Sequence, residues 1–125
     1  MLAQDIVKQL DHLLPPDRFY TDPVDCLVYG YDNSRKLFPP DAVVFPIDAN
    51  EVCAVVGLCN EYEIPLVPRG RGTGTAGGSL PEKGGIALSL ERMLRIISVD
   101  PGNRVIVAEP GVLNQTIQEA AKPHG

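Results

Sequence analysis

The apolar positions change period several times along the chain, and each change marks an element. Ile6, Val7, Leu10, Leu13 and Leu14 share one face at helical spacing until Pro15 and Pro16 end the pattern, which predicts a helix over residues 3–14. Residues 17–40 are turn-rich. The short apolar pieces within 24–32 predict a strand or an irregular extended stretch. From Asp41 the pattern becomes regular: residues 42–45 are wholly apolar and stop at Pro46, as expected of a buried strand. Asp48 and Glu51 have capping-box spacing, and Val52, Val55, Val56 and Cys59 then recur at helical intervals, so a helix runs to about Tyr62. Residues 64–67 read as a second strand. Strand, capped helix and strand in so short a span make a βαβ unit, which implies parallel pairing and a right-handed crossover.

Beyond a glycine-rich stretch, residues 85–90 predict another strand. Residues 93–99 and 104–108 predict two more, joined by the turn-forming Asp100, Pro101, Gly102 and Asn103. Pro110 and Gly111 break the chain again. Residues 113–122 predict a helix with Ile117, Ala120 and Ala121 inward. The chain stops at the turn signal of Pro123 and Gly125 with nothing that closes a domain, as expected of a piece of a longer chain.

Composition narrows the class. At 125 residues, 44% hydrophobic and 22% charged, the chain suits one globular domain. A net charge of −5 argues against nucleic-acid binding, which needs a basic footprint. It leaves room for one local anion site, where Arg69 and Arg71 are well placed. The amino terminus lacks the basic and apolar regions of a secretory signal, and no apolar run approaches the ~18 residues of a membrane span. Cys26, Cys53 and Cys59 form no C-x-x-C pair, and Cys53 and Cys59 lie on different faces of their helix. All three read as buried free thiols in a reducing cytoplasm.

Seven of the twelve glycines fall between Gly70 and Gly85. Within that run, Gly72 to Gly77 fits the dinucleotide fingerprint G-x-G-x-x-G, which must follow a strand and open a helix. The strand is present. The helix is not, because Gly78, Pro81, Gly84 and Gly85 follow and lead into a strand-type run. A P-loop fails as well, since Gly78 or Thr75 stands where its lysine is required. What remains is a backbone cradle for a diphosphate, with amides clustered by the glycines and hydroxyls from Thr73, Thr75 and Ser79, or else a mobile exposed linker.

The run Pro68, Arg69, Gly70, Gly72, Thr73, Gly74, Gly77, Gly78 and Pro81 resembles the pyrophosphate loop of the FAD-linked oxidases, the vanillyl-alcohol-oxidase or p-cresol-methylhydroxylase (PCMH) type. The likeness covers nearly the whole chain: Asp22 and Asp25, Tyr29 to Asp32, Pro40 to Pro46, Glu51 and Val52, Ile97 to Asp100, Asn103, Pro110 to Val112, and Pro123 to Gly125 recur in the same order. Within the family, the glycolate oxidase D subunit and D-lactate dehydrogenase branch is the one most resembled. The resemblance implies an α+β fold, the first lobe of a PCMH-type FAD-binding domain, with residues 1–40 as an amino-terminal helix and lead-in segment and 41–125 as the first part of the domain.

It also implies a function. FAD would lie with its diphosphate along Pro68, Arg69, Gly70, Gly72, Thr73, Gly74, Gly77, Gly78 and Ser79, and its adenine and ribose side near Pro110, Gly111 and Val112. Some relatives attach FAD through a histidine where Thr73 stands, so the flavin here is expected to be non-covalent. The full protein would oxidise a small 2-hydroxy acid, of glycolate or D-lactate type, and pass electrons to partner subunits such as an iron–sulfur protein, or to a quinone. It would be cytoplasmic, or peripheral to the inner membrane through those partners. The catalytic base would lie beyond residue 125. Arg71 reads as an exposed side chain, His12 as a surface residue, and His124 as a structural member of its Pro-His-Gly turn. No Ser/His/Asp set, metal cluster or acid–base carboxylate pair stands out. A nucleotide-sugar reductase of the same fold and a non-catalytic diphosphate-binding module are the alternatives.

Overall fold

The computed structural model describes residues 2–31, 34–70 and 83–125. Helix α1 spans Gln4–Leu13, within one residue of expectation at either end, and buries Ile6 and Leu10, with Leu14 buried just past its end. His12 is exposed. A 3₁₀ turn at Pro16–Arg18 leads into the two-residue strand β1, Phe19–Tyr20. The stretch 24–32, expected to be extended, instead opens with helix α2, Pro23–Leu27, followed by a 3₁₀ turn at Val28–Gly30. The Asp22 carboxylate accepts the Val24 amide hydrogen at 2.8 Å, and Pro23 sits in the first turn, where no backbone donor is needed. This local chemistry outweighs the strand preference of Val24, Val28 and Tyr29.

Strand β2 is Ala42–Val44, helix α3 is Ala49–Glu61, strand β3 is Leu66–Arg69 and strand β4 is Ile86–Ser89. Asp48 caps α3 by accepting from the Glu51 amide at 2.9 Å. The other half of the expected capping box is replaced, because the Glu51 carboxylate forms an ion pair with Arg18 at 2.7 Å. The sheet order is β1-β2-β4-β3, with β4 parallel to both neighbours and β1 antiparallel to β2. β2 and β3 are therefore parallel, as the βαβ reading requires, yet they do not pair with each other. β4 lies between them because all four of its residues are buried, which suits the centre of the sheet, whereas β3 is half-exposed. β3 also lies two residues later than expected and contains Pro68, which an edge strand tolerates and a central one does not.

Alternation along the central strands divides the core. Ala42, Val44, Ile86 and Leu88 face α1 and α3, packing on Ile6, Leu10, Leu14, Val55, Leu58 and Cys59. Val43, Phe45 and Ala87 face the other way, against Cys26, Tyr20 and Tyr29. Each fully buried valine or isoleucine here contributes about 1.5–3 kcal/mol. Arg92 closes this second face, its guanidinium 4.1 Å from the Phe45 ring centroid and its Nη1 donating to the Asp17 carbonyl at 2.9 Å. Cys53, expected to be buried, is exposed, since it lies off the apolar face of α3 that carries Val55 and Cys59.

The remaining elements are the antiparallel pair β5, Ile96–Asp100, and β6, Val105–Ala108, and helix α4, Asn114–Ala121. β5 starts three residues later than expected because Glu91 and Arg92 form a turn closed by the Met93 amide on the Leu90 carbonyl. α4 buries no residue fully; Ile117, Ala120 and Ala121 are half-buried.

Candidate functional site

β3 and β4 run parallel, so their carboxyl ends lie at one edge of the sheet, where α/β proteins commonly bind ligands. Arg69 and Ser89 are register partners there, and the Leu90 amide donates to the Arg69 carbonyl at 2.9 Å. Gly70 follows directly. The Arg69 side chain is buried and turns into the protein. Its Nη1 donates to the Tyr29 carbonyl at 2.9 Å and the Tyr31 carbonyl at 3.4 Å, and the guanidinium sits 5.2 Å from the Tyr29 ring centroid. Arg69 is thus a brace between the loop stem and the lead-in segment.

Tyr29 continues the brace. Its hydroxyl donates to Glu91 Oε1 at 2.7 Å, and its ring meets Phe45 edge-on. Burial first, and then the hydrogen bond to Glu91, push the phenol far above its ordinary range, so it remains a donor throughout neutral pH. The backbone at Glu91 in turn seats Gly111. A Cβ on Gly111 would stand 2.5 Å from the Glu91 carbonyl oxygen and 2.7 Å from that of Leu90, so only glycine permits this approach. The Gly111 amide donates to the Met93 carbonyl at 2.9 Å, and the Val112 amide to the Glu109 carbonyl at 3.2 Å. Glu109, buried, accepts from the Arg95 amide at 2.8 Å and from Arg95 Nε at 2.9 Å.

These contacts bring two predicted segments together. A Cβ on Gly70 would stand 4.0 Å from the Pro110 carbonyl oxygen, so the loop stem and the 110–112 turn are neighbours. Pro68 stands apart from them, exposed on the edge strand opposite Leu88. The proposed positions Gly72, Thr73, Gly74, Gly77, Gly78 and Ser79, and Arg71, lie outside the described residues. His124 lines an open cavity with Asp100, Arg104 and Ile106, beside the turn between β5 and β6. The hydrogen bonds of Tyr29, Glu91 and Glu109 are not signalled by the sequence pattern, because they cross 62 and 14 positions of the chain. Among the described residues no group of three His, Cys, Asp or Glu could hold a metal ion.

The FAD binding domain family model matches residues 40–125, a span that runs from the start of β2 through the loop to the end of the chain. The chain belongs to the FAD binding domain family. Its curated relatives include the glycolate oxidase subunit GlcD of Bacillus subtilis, 32% identical over all of this chain and 27% of that protein. The D-lactate dehydrogenase of Archaeoglobus fulgidus is 39% identical over 78% of this chain and 23% of that protein. The chain therefore spans about a quarter of the length of these relatives. In fold it is similar to p-cresol methylhydroxylase, with a TM-score of 0.83 and 24% identity over 98% of this chain and 25% of that one. The fold is thus the α+β PCMH type, and FAD is the family's cofactor. The described residues fit it: Gly70 presents no side chain toward Pro110, and Gly111 lets the neighbouring turn pack directly on the Glu91 and Leu90 carbonyls, which brings the two segments together.

Proposed function

We propose that a protein carrying this chain at the length of its relatives is a flavoenzyme that oxidises a small 2-hydroxy acid of the glycolate or D-lactate kind. The single observation that carries the reading is the FAD binding domain match across 40–125, which takes in the glycine run and the 110–112 turn together. The names of the relatives, a glycolate oxidase subunit and a D-lactate dehydrogenase, support the substrate class.

The chain's own part is binding and orientation. Main-chain amides from Arg69, Gly70, Gly72, Thr73, Gly74, Gly77 and Gly78 would hold the diphosphate, with Pro68 and Ser79 at the ends of the cradle. Pro110, Gly111 and Val112 would border the adenine and ribose side. The amides of Gly111 and Val112 already donate within the chain, so this turn offers FAD shape and the Pro110 carbonyl oxygen. When bound, FAD supplies the acceptor for the hydride that leaves carbon 2 of the acid. With Thr73 at the attachment position the flavin is held without a covalent bond, and no catalytic base is assigned within these residues. Electrons would pass to an iron–sulfur partner or a quinone. No helix among the described residues is long and apolar enough to cross a membrane. A cytoplasmic location, or a peripheral one at the inner membrane through partners, completes the proposal.

The test is anaerobic titration of the purified longer protein with glycolate, D-lactate and a nucleotide sugar. Bleaching of the flavin band by a 2-hydroxy acid is expected. A preparation without flavin absorbance, or one that 2-hydroxy acids leave unbleached, overturns the reading.

A further inference from the structure

The Arg69 side chain, in the middle of a motif that suggests anion binding, is committed elsewhere, and its commitments form a chain. Arg69 Nη1 donates to the Tyr29 carbonyl, the Tyr29 hydroxyl donates to the Glu91 carboxylate, and the Glu91 carbonyl is the surface on which Gly111 rests. The Leu90 amide closes the circuit on the Arg69 carbonyl. Gly70 and Pro110 stand at the two ends of this circuit. Each link is part-buried, so removing one shifts a neighbour instead of admitting water freely.

We propose that Tyr29 and Glu91 are positioning residues for the cofactor, setting the separation between the loop stem at Gly70 and the turn at Pro110–Gly111. The inference rests on the FAD reading of those two segments. Tyr29 is linked to the two segments through its neighbours. It acts through Arg69 on one side and through Glu91 on the other. Removing its hydroxyl releases the link between them while leaving the ring against Phe45 and the guanidinium in place.

The experiment uses the longer protein, with Tyr29→Phe, Glu91→Ala, Glu91→Gln and the double Tyr29→Phe/Glu91→Ala, and with Tyr20→Phe as a control from the same aromatic cluster. FAD is titrated into apoprotein by flavin fluorescence, and the visible circular dichroism of the bound flavin and the apoprotein melting temperature are recorded. Tyr29→Phe and Glu91→Ala should each weaken FAD binding about tenfold, the scale of one hydrogen bond to a charged group. The double variant should weaken it no further, and Glu91→Gln, which keeps an acceptor, should recover most of the affinity. The flavin dichroism should change in the weakened variants, and Tyr20→Phe should leave both readings unchanged. Unaltered affinity and dichroism in Tyr29→Phe and Glu91→Ala overturn the positioning role while the FAD reading stands. So do losses that simply track the melting temperature. A wild-type protein that takes up no FAD overturns both.

Discussion

One oxygen of Glu109 serves Arg95 twice, accepting from its backbone amide at 2.8 Å and from its Nε at 2.9 Å. The carboxylate thereby pins the end of β6 to the start of β5, just before the turn that carries Pro110 and Gly111. The Arg95 hydrogen bond, above all, holds the Glu109 carboxyl below its ordinary value of 4.5, against a smaller desolvation effect. Asp100, at the far end of the hairpin, is lowered in the same direction, chiefly by the Asn103 side chain.

Acid should therefore loosen this hairpin. A carboxylate whose folded pKa is depressed adds stability that is complete above its unfolded pKa and disappears as the pH falls through the folded one. The loss should begin as the pH drops below about 4.5 for Glu109 and slightly lower for Asp100. Thermal melts between pH 6 and pH 3 should show a steeper acid decline in the wild type than in Glu109→Gln, which has no proton to gain. Parallel declines would show that the Arg95 contact does not discriminate folded from unfolded protein.

Two glycines should respond in opposite ways to alanine. Gly85 has φ +80°, and a Cβ there would lie 2.1 Å from the Pro65 carbonyl oxygen, at the point where its amide donates to Asp41. Gly85→Ala combines left-handed strain with a backbone clash and should cost about 3 kcal/mol or more. Gly57 lies exposed within α3 with nothing within 4 Å of its Cβ position, so Gly57→Ala should stabilise by roughly 0.5–1 kcal/mol. Urea unfolding midpoints read both, and a Gly85→Ala variant as stable as the wild type would contradict the crossing of β4 over Pro65.

The contrast between these glycines shows what was legible in the chain. Local chemistry carried well: Asp48 caps α3, and Ile6 and Leu10 face the core of α1, because both features depend on neighbours within a few residues. Chemistry over a distance did not. Placing β4 between β2 and β3 is a competition among strands for the most buried position, and no window along the chain contains all three. The site divides in the same way. Gly70 and Pro110 were readable as motif positions, but the Tyr29–Glu91 bond and the Gly111 seat on Glu91 exist only once the sheet is assembled. Arg69 shows the reverse limit: its place in a glycine-rich run suggests an anion partner, and burial against Tyr29 gives it a different one.

The cysteines should differ sharply in reactivity. The Cys26 thiol is buried and pushed up to about 11, first by desolvation and then by Asp25 and Asp22, and desolvation raises Cys59 too. Since the thiolate is the reacting form, both should resist alkylation in the folded state. Cys53 is exposed on α3. Iodoacetamide at neutral pH followed by peptide mass spectrometry should find Cys53 labelled first, with Cys26 and Cys59 modified only after denaturation. Early labelling of Cys26 would place α2 away from the Val43 and Phe45 face.

The mode of flavin attachment gives the last expectation. Covalent attachment needs a nucleophilic side chain in the loop that reaches the flavin ring, and the family resemblance implies that Thr73 stands where some relatives supply a histidine. A threonine hydroxyl without an adjacent base is a poor nucleophile, and its share in the cradle would be to donate a hydrogen bond. Acid precipitation of the longer holoprotein should therefore leave the yellow colour in the supernatant, with a protein mass matching the bare polypeptide. The chain by itself is a quarter of the relatives' length, and α4 and the β5–β6 pair leave Ile97, Val105, Val107 and Leu113 exposed. On its own it should bind FAD weakly and turn over no 2-hydroxy acid. Colour retained in the precipitate would refute the non-covalent mode, and tight FAD uptake with substrate-dependent bleaching by residues 1–125 alone would show that these residues already contain the complete site.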